Sequence, residues 1–215
     1  MNLADAATFA VGPLADEERP GAEGVLARAF RDSPLNVAVI GSDPERRLRA
    51  NLHGARALLP VALAGGSVLV ARDGGATRGV LVATPPFGWP LPAPSLRAHL
   101  RRVVGQGPRV ARRWGLVFEA LARVHPRAPH WYLSTLGVDP PAQGRGMGRA
   151  LLDHWLAGVD ADALPAWLET DRQANLAFYR RAGFEVARRS EVLGTTIWCM
   201  LRPERSAGPS QVGPR

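Results

Sequence analysis

The order of hydrophobic patterns along this 215-residue chain predicts an α/β fold with a mixed central sheet flanked by helices. Three observations carry the prediction. Strand-like runs and amphipathic stretches alternate in the order β, α, α, β, β, α, α, β, α, β, α, β, β. Two pairs of strand-like runs are joined by glycine-centred turns, at Asp73-Gly74-Gly75 and at Gly194, the signature of antiparallel hairpins. Between them WYLSTLGV (131–138) leads through a glycine-rich turn directly into the helical ALLDHWL (150–156).

Each element has a local reason. Ala7 to Leu14 reads as a short strand ended near Gly12 and Pro13. Asp16 to Arg31 reads as a helix with Asp16 as N-cap and Val25, Leu26, Ala29 and Phe30 on one face; Ser33-Pro34 breaks it. Pro44 to Ala64 reads as a second helix, capped by Asp43 and striped by Leu48, Leu52, Ala55, Leu58 and Leu59; Pro60 is expected to kink or end it. SVLVAR and GVLVAT form the first hairpin. Pro85 to Pro94, with Phe87 and Trp89, is a loop, either a connector that tucks two rings against the core or one wall of a substrate pocket. Two helical patterns follow from Ser95 to Arg127, broken at Gly105-Gln106-Gly107-Pro108. This stretch carries eight arginines against Glu119 alone, read as a solvated face or a basic rim that steers an acidic ligand. Leu164 to Thr170 is a short buried strand. Gln173 to Ala182 is a helix closed by Gly183, and Phe184 to Arg189 pairs with Thr195 to Leu201. Residues 1–202 fit a single domain, and the proline-, glycine- and serine-rich 203–215 reads as a disordered tail.

Composition narrows the functional classes. The net charge of +8 comes from arginine, since the chain has no lysine. A positive field suits an anionic ligand. No basic strand interleaved with aromatics supports specific nucleic-acid binding. Cys199 is the sole cysteine, which excludes an intramolecular disulfide and suits a reducing cytoplasm. There is no signal-peptide pattern and no apolar run of membrane-spanning length. His125, His130 and His154 lack metal-ligand spacing, so no metal is expected.

The glycine-rich turn is the most informative stretch. Asp139, Pro140 and Pro141 stop the strand, and Gln143, Gly144, Arg145, Gly146, Met147, Gly148 and Arg149 precede the helix. Glycines let the backbone approach an anion closely, the unpaired amides of a helix start donate to it, and the macrodipole favours negative charge there. Arg145 and Arg149 add cations that can meet phosphate oxygens. The spacing fits neither a dinucleotide-fold loop nor a Walker loop, the latter requiring a lysine.

The Q-G-R-G-M-G run, the flanking LGVDP and RALL, and the downstream N-L-A-F-Y-R-R-A-G-F resemble the GCN5-related N-acetyltransferase (GNAT) family. HWYLSTLGVDPPAQGRGMG, PAWLET, NLAFYRRAGFEV and TIWCM are more narrowly similar to the puromycin N-acetyltransferase group within it. The resemblance covers about residues 130–202, the half it identifies with coenzyme binding and catalysis. It implies the GNAT fold, whose fourth and fifth strands splay to make a cleft for acetyl-coenzyme A, the co-substrate. Gln143 to Arg149 would then hold the pyrophosphate. Leu136, Gly137 and Val138 would offer main-chain groups, and Asn175 would bond the pantetheine chain.

Two residues stand out for chemistry. Glu169 ends an apolar strand, where its carboxylate would be a desolvated base or a solvent-facing salt-bridge partner. Tyr179 lies four residues after Asn175, so both face one side of a helix; it reads as a core ring with a surface hydroxyl or as an acid for a departing thiolate. The resemblance implies base and acid respectively, with direct transfer in a ternary complex to a small-molecule amine. Acetylation of a protein N-terminus or lysine, and non-catalytic coenzyme binding, are the competing readings. A monomer and a homodimer fit equally. Cys199, in an apolar run, is read as structural.

Overall fold

A computed structural model of the protein describes residues 9–90 and 96–205. The described elements are, in chain order, β1 (Phe9–Pro13), α1 (Arg19–Ala29), α2 (Pro34–Ile40), α3 (Pro44–Gly65), β2 (Ser67–Asp73), β3 (Ala76–Thr84), α4 (Leu96–Gln106), α5 (Pro108–Val124), β4 (Trp131–Val138), α6 (Met147–Ala161), β5 (Ala166–Thr170), α7 (Asn175–Arg180), β6 (Glu185–Val192) and β7 (Thr195–Arg202). The strands form one seven-stranded sheet in the order β1-β2-β3-β4-β5-β7-β6. All neighbours are antiparallel except β4 and β5. The mixed sheet expected from the sequence is therefore present. Of the expected tail, residues 206–215 lie outside the described residues.

Local chemistry sets most boundaries. The Asp43 carboxylate accepts from the amides of Glu45 and Arg46, capping α3 as expected. Gly74 and Gly75 both take positive φ, +57° and +76°, as a tight two-residue hairpin requires. Three expectations are corrected. Asp16 does not cap α1: residues 16–18 form a 3-10 turn, and the helix proper starts at Arg19. Ser33-Pro34 ends nothing by itself but starts an unforeseen helix, α2. The Ser33 hydroxyl accepts from the Asn36 amide, and Pro34 sits at the first helical position, where no amide is needed. Pro60 neither ends nor bounds α3, which runs on to Gly65, because Leu59 and Ala62 are fully buried around it and packing outweighs one lost hydrogen bond.

The two faces of the sheet are covered differently. On one, α6 and α7 bury Leu69, Ala71, Leu81, Leu133 and Leu168 in a single core. On the other there are two cores. One joins α1 and α3 to Val68, Val70, Val80 and Val82; the other joins α2, α3 and α5 to Val192 and Ile197. The second face of β4 and β5 lies between these two cores, and its residues are aromatic and ionisable.

The ladder opens at the same place. β4 pairs with β3 from Tyr132↔Thr84 to Val138↔Gly79, skipping Ser134, which bulges and donates its hydroxyl to the Val82 carbonyl. Against β5 only Trp131, Tyr132 and Leu133 pair. Beyond them the strands part, which gives the splayed cleft expected of the fold.

The exit of β4 is tied down by charge. The Arg28 guanidinium of α1 donates to both oxygens of Asp139, at 2.7 and 3.0 Å, and Arg78 reaches the same carboxylate at 3.3 Å. The Asp139 side chain is 3% exposed. Hydrogen bonds from Arg28 hold its carboxyl below the ordinary carboxylate range, although burial opposes them. A depressed folded pKa stabilises fully above the unfolded value and is lost as pH falls through the folded one. Because Arg28 is half-exposed, Asp139→Asn is expected to cost only about 1–2 kcal/mol at neutral pH. That gap should close as the wild type is acidified below about pH 4, as thermal melts across pH would show.

Candidate active site

The glycine turn forms an amide cradle. Gly144 has φ +78°, and Gly146, the N-cap of α6, has φ +86°. A Cβ at either would meet nothing within 4 Å, so the left-handed backbone rather than crowding requires glycine there. The first amide of this stretch with an acceptor is Ala150, which bonds the Gly146 carbonyl. The amides of residues 144 to 149 find none among the described residues.

The side chains of the cradle have other roles. Met147 is buried in the core, Gln143 donates to the Val138 carbonyl at 3.0 Å, and Gly148 rests against Val138 and Phe178. Arg145 meets Asp73 at 2.6 Å and Arg149 meets Asp153 at 2.6 Å. Both ion pairs are exposed and so worth little, leaving the guanidiniums free to exchange partners. On β4, Leu136 and Val138 pack toward the α6 core. A Cβ on Gly137 would come within 3.0 Å of Ala29 and 3.1 Å of Phe30, so this glycine lets α1 lie close on the strand. These three positions thus present main chain, not side chains, to the open edge.

Glu169 sits on the second face. By the two-residue repeat of a strand, Trp167 and Glu169 share that face, while Leu168 points into the α6 core. The Trp167 indole donates to Glu169 Oε1 at 2.6 Å, and the Glu169 side chain is only 7% exposed. The solvent-facing alternative does not hold. His125 Nδ1 approaches the same oxygen at 3.6 Å. The His125 ring stacks on Trp89 with centroids 3.7 Å apart and meets Tyr132 edge-on at 4.8 Å. His130 Nε2 lies 3.0 Å from His125 Nε2, and His130 Nδ1 lies 2.7 Å from the Ala128 carbonyl. Burial, and then the Glu169 charge, push the Tyr132 phenol well above its ordinary range. The same two causes push the Cys199 thiol, opposite Glu169 on β7, up to about 12. Cys199 therefore stays protonated at neutral pH and is no nucleophile.

Asn175 and Tyr179 come from α7 on the other face. The Asn175 amide donates to Thr170 Oγ1 at 3.2 Å, fixing the helix to the end of β5. Tyr179 is buried in the α6 core, edge-on to Phe178 at 5.0 Å and Phe184 at 6.0 Å. Its hydroxyl has no hydrogen-bond partner among the described residues. Burial, and then the Asp171 charge, push its pKa upward. Asp171 is itself held by the Leu35 amide at the start of α2, at 2.8 Å. Glu169 and Tyr179 thus stand on opposite faces of the sheet near the end of β5, beside the point where β4 and β5 part.

The sequence reading missed His125, His130, Tyr132 and Trp167 as parts of this cluster, and named Trp89 as a core-tucked or pocket-wall ring without its partner. The only local signal was alternation, which puts Tyr132 on the face opposite Leu133 and Trp167 on that of Glu169. The histidines arrive from a connector whose path no local pattern sets. Of the proline-rich loop, Trp89 is tucked onto His125 whereas Phe87, at φ +66°, is 86% exposed; residues 91–94 of it lie outside the described residues. Among the described residues no three His, Cys, Asp or Glu side chains are grouped to hold a metal ion, and no helix is long and apolar enough to cross a membrane.

Comparisons with known proteins converge on one family. Residues 110–186 match the model of the Acetyltransferase (GNAT) domain. A mycothiol acetyltransferase of Mycobacteroides abscessus is 47% identical over 55 residues, 24% of this chain and 19% of that protein. The N-alpha-acetyltransferase RimI of Mycobacterium tuberculosis is 38% identical over 69 residues, 32% of this chain and 44% of that protein. The chain thus spans less than half the length of these curated relatives. Among solved structures, one described as histone acetyltransferase HPA2 and related acetyltransferase, from Corynebacterium glutamicum, superposes with a TM-score of 0.69 at 25% identity, covering 94% of this chain and 99% of the other. With the splayed strands and the amide cradle already in place, these matches put a GNAT acetyltransferase domain at residues 110–186, within a chain that has the GNAT fold.

Proposed function

We propose that the protein transfers the acetyl group of acetyl-coenzyme A directly to an amine of a small molecule. The observation that carries this reading is the open row of amides from residue 144 to 149, at the start of α6 and beside the gap between β4 and β5. Such a row fits a pyrophosphate, with Arg145 and Arg149 within reach to add charge. The main-chain groups of Leu136 to Val138 that β3 and Gln143 leave unpaired would line the pantetheine and donate to the thioester oxygen as charge builds there. Asn175 would bond the pantetheine chain. Glu169 takes a proton from the acceptor amine, whose neutral nitrogen attacks the thioester carbon. As the carbon–sulfur bond breaks, Tyr179 hands its proton to the sulfur, and the second N–H proton that the new amide nitrogen gives up restores the phenol.

The acceptor class follows from the surroundings of Glu169. Trp167 bonds it, His125 approaches it, and Trp89 and Tyr132 pack on that histidine, an aromatic surrounding suited to a compact molecule more than to an extended peptide. The resemblance to puromycin N-acetyltransferases points the same way. A second reading, acetylation of a protein amine, is favoured by the similarity to RimI.

One assay separates them: acetyl-coenzyme A is offered with amino-nucleosides, aminoglycosides and short peptides, and free thiol is read. Thiol release with small amines, with intersecting double-reciprocal lines, is expected. Release with peptides alone would favour the second reading, and coenzyme binding without release would indicate a binding module.

The cradle has its own test. At φ +86° an L residue is strained, so Gly146→Val is expected to lower stability by about 1–2 kcal/mol. It should also weaken coenzyme binding about tenfold or more by shifting the amides. An unchanged dissociation constant by calorimetry, in a folded variant, would remove the cradle from the coenzyme site.

A further inference from the structure

The hydrogen bonds behind Glu169 fix where protons can sit. The Ala128 carbonyl can only accept, so His130 Nδ1, 2.7 Å away, carries a hydrogen. His130 Nε2 and His125 Nε2 are 3.0 Å apart, so one ring donates to the other. With both rings neutral the donor must be His125. Its Nδ1 is then a bare lone pair 3.6 Å from a carboxylate oxygen. That nitrogen is buried with no hydrogen-bond partner, and two acceptors face each other where little water reaches. One added proton resolves the conflict, and it can sit on Glu169, on His125 or on His130.

We propose that His125 and His130 form the proton outlet of Glu169, relaying the proton taken from the acceptor amine away from the covered cleft. The inference rests on Glu169 being the base. The transfers balance at each step. The amine N–H proton passes to a Glu169 oxygen, and, as the 3.6 Å gap closes to hydrogen-bond distance, the Glu169 proton passes to His125 Nδ1. The His125 Nε2 proton then passes to His130 Nε2, leaving His130 with hydrogens on both nitrogens; His130 gives its Nδ1 proton to solvent, and return of the two rings to their starting tautomers leaves Glu169 ionised and the relay reset for the next turnover. An outlet is useful because Glu169 is nearly enclosed, and acceptor and coenzyme would close what remains.

The groups around the relay suit this role. Burial holds the His130 pKa below its ordinary value, against the Ala128 hydrogen bond, so its ring is neutral at neutral pH and ready to accept. The Trp89 face stacked on His125 stabilises a transient imidazolium. Of the other titratable groups facing the chain, Tyr132 on β4, whose side chain hydrogen-bonds Glu169, and Cys199 on β7 both stay protonated and uncharged at neutral pH; Arg188 on β6 adds a cation beyond Cys199, and the Trp167 indole donates to Glu169 Oε1. His125 and His130 are thus positioning and relay residues, and Glu169 alone meets the substrate.

His125→Phe keeps the stack on Trp89 and removes both nitrogens. His130→Asn keeps a donor for Ala128 and removes the last proton seat. Each is expected to lower kcat about tenfold or more, with KM for acetyl-coenzyme A within about twofold. The proton inventory of kcat in mixed light and heavy water should change from curved in the wild type to linear in both variants. A fall in kcat with an unchanged inventory would mean a structural role and overturn the relay, as would wild-type kcat in both. Glu169→Gln separates the two levels. Full activity there overturns the base and the outlet together, while an inactive Glu169→Gln beside unaffected histidine variants overturns the outlet alone. If His125→Phe does not fold, nitrogen-15 spectra of the wild-type histidines decide: His130 must be the Nδ1–H tautomer at neutral pH, and an Nε2–H tautomer would overturn the chain.

Discussion

Glu169→Gln is expected to lower kcat/KM by about 10² to 10⁴ at neutral pH, or roughly 3 to 5 kcal/mol of barrier, with the fold intact. With its carbonyl at the Oε1 position, the glutamine can still accept from the Trp167 indole, so the variant keeps that hydrogen bond and loses the proton acceptor. Alkyl amines are protonated at neutral pH and need that acceptor before they can attack. At high pH the free amine is abundant, so the defect should shrink as pH rises. Full pH profiles of kcat/KM in wild type and variant, with circular dichroism to confirm folding, would show this. A small loss, uniform across pH, would return Glu169 to a structural role.

Tyr179→Phe is expected to lower kcat by about 10², the lower end of what a general acid supplies. The reason is energetic. Burial pushes the phenol further above a coenzyme thiol, so proton donation to sulfur is uphill until charge has built up on the departing atom. A high pKa also keeps the hydroxyl protonated throughout the working range, so the effect should be flat with pH, unlike that of Glu169. Stability should change little, because the ring stays in its aromatic packing and the hydroxyl has no partner among the described residues. Coenzyme affinity should hold within about threefold, since the proposed coenzyme contacts are the cradle amides and Asn175. The loss should shrink with an activated aryl thioester, whose leaving group needs no proton. Equal loss with both donors would mean that the hydroxyl positions the thioester without protonating it, and full activity would leave Tyr179 as a core ring.

What the sequence determined by itself is local and strongly patterned. Adjacent residues dictate the Asp43 cap, the Gly74-Gly75 hairpin, the proline stop after β4 and the glycine cradle, because each is a backbone requirement met within a few positions. Alternation in AWLET sufficed to put Glu169 and Leu168 on opposite faces. Where local signals competed, packing decided: α3 runs through Pro60 because its apolar neighbours are buried, and Ser33-Pro34 opens a helix where a break was read. Only the tertiary structure could bring His125 and His130 behind Glu169, 44 and 39 positions away in the chain, and seat Trp89 on the first of them. Nothing near a histidine in a connector records which carboxylate it will face. That depends on two separate cores leaving the second face of β4 and β5 between them, and on the strands parting after Leu133. The proposed coenzyme half of the site is thus written in neighbouring residues, because a cradle is made of consecutive amides. The proposed proton-handling half is assembled from distant segments, because enclosing a carboxylate takes side chains from several elements at once.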